Sequence, residues 1–217
     1  MSDKNARLII PDIHHKVELV ERIRGNHPGM PAIFLGDYFD DFDDTAADME
    51  KTCQWLKGAV ENHDDEFLLG NHCFAYLSCE LGVRWGFCSG WTVGKQQVFH
   101  RYFPGDTLVK PSAWILNCQG WFISHAGITN KLYRSFSKRK TFEEIVEWVN
   151  NAESALMGGI QHPAFMAFSG VIGKRSNRSE AFASSSGILL PETFATSRAM
   201  CVWTLICTIT VCSKAAS

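Results

Sequence analysis

Asp12 and His14 stand one residue apart, directly after the apolar run Leu8-Ile9-Ile10. Side chains two apart on an extended segment face alike, so a carboxylate and an imidazole reach one point together. Gly36-Asp37-Tyr38-Phe39-Asp40 adds two carboxylates. Gly70-Asn71-His72 adds an amide oxygen and an imidazole, and Ser124-His125-Ala126-Gly127 a further imidazole. Such oxygen and nitrogen donors suit a pair of divalent cations. A shared carboxylate holds two such ions about 3.5–4 Å apart, the separation used in metal-assisted hydrolysis of phosphate esters. Asp37 is the candidate bridge, with Gly36 letting the backbone turn close to the ions. Asp12, His14, Asn71 and His125 are the other candidate ligands. His72 need not coordinate: a histidine beside two cations can protonate a leaving oxygen, with Asp40 orienting its ring.

Each group follows a short hydrophobic stretch that reads as a strand: Arg7–Pro11, Ala32–Leu35, Glu66–Leu69 and Trp121–Ser124. In an α/β sheet, ligands collect outside the carboxyl ends of the strands, which gathers residues distant in sequence. Helical patterns alternate with these strands. Lys16–Arg24 carries Val17, Val20 and Ile23 at helical spacing. Thr45, with Asp48 in the first turn, opens a helix through about Val60. Thr92–Tyr102 reads as a helix ended by Pro104-Gly105. Trp114–Asn117 and Trp121–Ser124 flank Cys118-Gln119-Gly120 as a β-hairpin. Thr141-Phe-Glu-Glu144 is a capping box that opens a helix to about Leu156. Asp43 and Asp44 read as a solvated acidic loop. The fold class expected is α/β.

The chain has 217 residues, enough for one sizeable core, and an ordinary globular composition with 46% hydrophobic and 20% charged residues. A net charge of -2 gives no nucleic-acid signature. Lys138-Arg139-Lys140 is an isolated basic run that reads as a solvated loop. The polar N-terminus lacks the apolar segment of a secretory signal. The eight cysteines are scattered without a CxxC pair, which points to reduced thiols in a cytoplasm. Cys73, Cys79 and Cys118 read as core filler. The apolar run Cys201–Cys212 is about 12 residues long, short of the ~20 that span a bilayer. The expected partner is a phosphorylated small molecule or protein, with no nucleic acid and no membrane. Nothing here specifies an oligomeric state.

The ordered set Asp12-x-His14, Gly36-Asp37-x-x-Asp40, Gly70-Asn71-His72 and Ser124-His125-Ala126-Gly127 resembles the calcineurin-like metallophosphoesterases. It is most similar to the branch containing the phosphoprotein phosphatases, with their GDxHG, GDxxDRG, GNHE and HGG motifs. The resemblance covers roughly residues 7 to 130. It implies a sandwich of β-sheets flanked by helices around a dinuclear Mn, Fe or Zn centre. By that likeness Asp12 and His14 hold the first metal, Asp37 bridges, Asn71 and His125 hold the second, and His72 with Asp40 forms the acid pair. The implied activity is hydrolysis of phosphate monoesters. The alternatives are a phosphodiesterase or nuclease using the same metals, or a catalytically weak metal- and phosphate-binding protein.

The chain departs from the family pattern at several points. Pro11 stands for the first Gly, His15 for the Gly after His14, Asp41 for a phosphate-gripping Arg and Cys73 for an acidic residue. Arg84, Lys95, Arg175 and Arg178 are the candidate replacements for the Arg, each otherwise reading as a surface charge. Family members usually finish with a further metal-binding His, and no histidine follows His162 here. A metallophosphoesterase domain is expected over residues 1–168. From Ser169 serines become dense and aspartate disappears, so 169–217 reads as a divergent or truncated end of the same domain, unassigned.

Overall fold

Apolar residues alternate across the short central strands and sort onto two faces, and that division organises the molecule. The structure is a computed structural model that describes residues 6–82, 88–118, 121–126 and 141–151. Strands β1 (Leu8–Ile10), β2 (Ala32–Phe34), β3 (Glu66–Leu68) and β4 (Ser112–Ala113) form a parallel sheet in that order. Leu8 stands opposite Ala32, Ile33 opposite Glu66 and Phe67 opposite Ser112. Parallel neighbours require crossovers, and helices supply them. Helix α1 (Val17–Asn26) follows β1, α2 (Ala46–Ala59) follows β2, and α3 (Asn71–Glu80) with α4 (Val93–Tyr102) joins β3 to β4. Strands β5 (Ile115–Cys118) and β6 (Trp121–Ser124) pair antiparallel, and α5 (Phe142–Asn150) comes last among the described elements. The fold is mixed α/β with five described helices.

Leu8, Ile10, Ala32, Phe34 and Phe67 enter a large core shared with residues of all five helices. Ile33, Leu35 and Leu68 point the other way and meet Ile123 of β6. Burial of both faces explains why β1 and β2 read as continuous apolar runs rather than as alternating ones. Helix α2 buries Met49, Thr52, Cys53 and Leu56, one helical stripe, and begins at a full Thr45–Asp48 capping box. Helix α5 begins at the Thr141–Glu144 box and buries Ile145 and Val149. At its end the Asn150 side chain accepts from the Trp114 and Ile115 N–H groups and donates to the Ile115 carbonyl, at 2.8, 3.0 and 2.6 Å. That clip ties the helix to β5.

Two elements escape the sequence patterns. Helix α3 is buried continuously from Cys73 to Ser78, so it shows no polar stripe to mark its period. Strand β4 is only two residues long. Trp114, expected within the hairpin, sits just before β5 and is fully buried. Cys73 is core as expected, but Cys79 lies on the exposed side of α3 and Cys118 is half-buried. Among the described residues no helix is long and apolar enough to cross a membrane. Residues 119–120, 127–140 and 152–217 lie outside the described set. With them fall Gly127, the Lys138–Lys140 run, the end of the helix expected to Leu156, His162 and the unassigned end.

Candidate metal centre

The segments that follow β1, β2, β3 and β6 converge, and the backbone is unusual in those after β1 and β2. His14, His15, Asp37 and Asp40 adopt φ of 42, 64, 44 and 65°, the positive-φ non-glycine positions among the described residues. Left-handed backbone costs about 1–3 kcal/mol per non-glycine residue, so it persists where surrounding structure imposes it, often at functional sites. Gly36 and Gly70 make the close approach possible. Gly36 has φ of 113°, and a Cβ there would lie 2.6 Å from the Gly70 nitrogen. A Cβ on Gly70 would overlap the Asp37 carboxylate. Only hydrogen fits at either position.

Asp12, His14 and Asp37 each offer a ligand atom within 4.8 Å of the others. His125 Nε2 lies 3.3 Å from Asp37 Oδ2 and 3.2 Å from Asn71 Oδ1. The structure thus brings all five expected ligands together around Asp37, which touches both groups. His14 Nδ1 donates to the carbonyls of Asp40 (2.5 Å) and Phe39 (3.1 Å), and His125 Nδ1 donates to the Leu35 carbonyl (3.0 Å). A proton fixed on Nδ1 by a carbonyl leaves Nε2 able to coordinate a metal. The Asn71 amide is oriented too: its Nδ2 donates to Cys88 Sγ at 3.6 Å, which leaves Oδ1 for the cluster.

The charges of the clustered groups are strongly coupled. Burial works against charge on His125, but the Asp37 hydrogen bond and charge, with Asp12, push its pKa up to about 9. Burial raises Asp12 above the ordinary carboxylate value. Burial also pushes Asp37 upward, yet His125, His72 and the His72 N–H (2.8 Å) hold it below the usual range. The clustered donors are thus two carboxylates, an amide oxygen and two imidazoles. This donor set fits divalent cations of the Mn, Fe or Zn kind.

Beside the cluster, His72 Nδ1 lies 3.0 Å from Asp40 Oδ2, and the His72 ring meets that of His14 edge-on at 5.3 Å. Burial opposes a charged His72, but the bond to Asp40 and the field of Asp37 raise its pKa above the ordinary value. Asp40 Oδ1 accepts from Tyr76 Oη (2.5 Å) and from Lys95 Nζ (2.8 Å). Burial raises Asp40, and His72, Lys95 and Tyr76 together bring it below the usual carboxylate range.

Two expectations are corrected here. Lys95 is not a surface charge: it is 2% exposed and bonds Asp40 and both oxygens of Asp44 at 2.8 Å. Asp44 is not a solvated loop residue either, because Lys95 and His15 Nε2 (2.8 Å) enclose it; Asp43 is exposed as expected. His15 Nδ1 reaches Thr52 Oγ1 at 2.8 Å. Asp41, standing where the resemblance puts an arginine, pairs with Lys16 at 2.8 Å. Sequence reasoning missed the roles of Tyr76, Asp44 and His15. The close spacing of Asp40 and Asp44 was the available signal. Arg84, Arg175 and Arg178 lie outside the described residues. Comparison of the chain with protein-family models, with curated proteins and with solved structures finds no match.

Proposed function

We propose that this chain is a metallophosphoesterase of the calcineurin-like kind, hydrolysing phosphate monoesters of a small molecule or protein with two divalent cations, Mn, Fe or Zn. The observation that carries the reading is the convergence of Asp12, His14, Asp37, Asn71 and His125 beside the His72–Asp40 pair. Asp12 and His14 would hold one cation, Asn71 and His125 the other, and Asp37 both. Bound there, the cations supply a nucleophile at neutral pH and neutralise phosphoryl oxygens. The protein contributes the rest. Asp40 accepts the Nδ1 proton of His72, which presents the second ring proton at Nε2 to a departing alkoxide. The carbonyls of Phe39, Asp40 and Leu35 keep His14 and His125 from rotating away.

A phosphodiesterase reading is favoured by one feature. Asp41, bonded to Lys16, puts a carboxylate where a guanidinium would grip a dianionic phosphate, and a diester carries less charge. The test joins elemental analysis with hydrolysis of an aryl phosphomonoester and the matching bis-ester, with and without Mn²⁺. About two metals per chain and Mn²⁺-stimulated hydrolysis, faster on the monoester, is the expected result. A faster bis-ester selects the diesterase. Absence of bound metal or of any stimulated hydrolysis refutes both.

A further inference from the structure

The Lys95 ammonium donates to Asp40 Oδ1, Asp44 Oδ1 and Asp44 Oδ2, each at 2.8 Å, so all three of its N–H bonds are used inside the protein. It reaches none of the five candidate ligands. We propose that Lys95 is a positioning residue for the acid pair, fixing Asp40 so that Oδ2 faces His72 Nδ1, with Asp44 and His15 holding Lys95 in turn. The inference rests on the phosphoesterase reading.

The surrounding geometry supports it. The Asp40 carboxylate is divided between two duties: Oδ1 takes Tyr76 and Lys95, and Oδ2 takes His72. Its backbone nitrogen lies 2.9 Å from His15 Nε2, and its φ is 65°. The segment that leads into α4 passes directly over it, since a Cβ on Gly90 would stand 2.9 Å from Asp40 Cβ. Thr92 caps α4 and places Lys95 in its first turn, aimed back at Asp40. A buried ammonium with fewer acceptors would shed its proton. Here burial does act to lower the Lys95 pKa, but Asp40 and Asp44 raise it above the ordinary value. The cation is therefore maintained next to Asp40. Without it Oδ1 keeps only Tyr76, the carboxylate is free to turn, and the Nδ1 proton of His72 loses its acceptor.

The test compares Lys95→Met, Lys95→Arg and the charge-balanced pair Lys95→Met with Asp44→Asn, using an alkyl and an aryl phosphomonoester with Mn²⁺. Removing a partner that orients an active group typically lowers activity about 10–100-fold. We expect that loss on the alkyl ester, a much smaller one on the aryl ester, unchanged metal content, and recovery of most activity in Lys95→Arg. In a His72→Ala background Lys95→Met should add nothing. Equal losses on both esters, a parallel drop in bound metal, an additive loss in the His72→Ala background, or failure of both Lys95→Met proteins to fold would overturn the proposal. Failure of the phosphoesterase reading itself is separable, because it appears in the unsubstituted protein as missing metal or missing hydrolysis.

Discussion

His125 Nε2 and Asp37 Oδ2 lie 3.3 Å apart in a site where the imidazole is 9% exposed and the carboxylate is buried. Burial opposes charge on the imidazole, but the Asp37 contact raises the His125 pKa from 6.5 to about 9. A folded-state value above the unfolded one gives stability that is full below about pH 6.5 and is lost as pH rises through about 9. Chelator-treated protein should therefore melt at progressively lower temperature on going from about pH 6 to about pH 10. His125→Gln should flatten that slope, leaving the smaller part that the raised His72 contributes. Saturating Mn²⁺ should flatten it in the wild type, because a cation takes the place of the proton. A metal-free melting temperature that stays level across this range would refute the pairing.

Asp37 contacts both halves of the cluster, so Asp37→Asn should weaken both cations together rather than one. Elemental analysis after dialysis against trace metal should show both lost to a similar degree. His14→Gln, by contrast, should spare the ion that Asn71 and His125 would hold on the proposed reading. Selective loss of a single ion in Asp37→Asn would reject the bridging role.

General acid help is worth about 10²–10⁴ in rate. His72→Ala should lose turnover of an alkyl phosphomonoester by that factor while leaving an aryl ester with a good leaving group nearly intact. Steady-state kinetics on the two substrates give the ratio directly. Equal losses would remove His72 from the acid role.

Gly36→Ala places a methyl against the Gly70 backbone at a φ of 113°. Neither loop can yield without moving Asp37, so the variant should lose at least about 1–3 kcal/mol in urea unfolding, together with metal binding. Gly58→Ala in α2, where nothing lies within 4 Å of the new Cβ, should instead gain about 0.5–1 kcal/mol. If the two substitutions behave alike, the close approach of the two loops does not constrain the site.

Much of the frame was legible in the residue pattern because the signals are local. Thr45 and Thr141 each announce a helix start with an acidic residue three positions on, and both boxes form. Strands β1 to β3 are short apolar runs, and each is followed by the segment that carries its candidate ligands. Helix α3 was not legible: buried without a break from Cys73 to Ser78, it offers no polar stripe to set its period. Asp44 illustrates a different limit. In sequence it belongs to an acidic string that reads as solvated, and its burial depends on Lys95, 51 residues away.

The order and spacing of Asp12, His14, Asp37, Asp40, Asn71, His72 and His125 were set by the sequence alone, since each follows a strand whose apolar run lies within a few residues. Tertiary structure alone decided what surrounds them. The Phe39, Asp40 and Leu35 carbonyls fix the imidazoles, and the Lys95 ammonium reaches Asp40 across 55 residues. The physical reason is that a lysine or an aspartate has no fixed character of its own. Its burial, charge state and partner come from whichever helix and loop the fold packs against it.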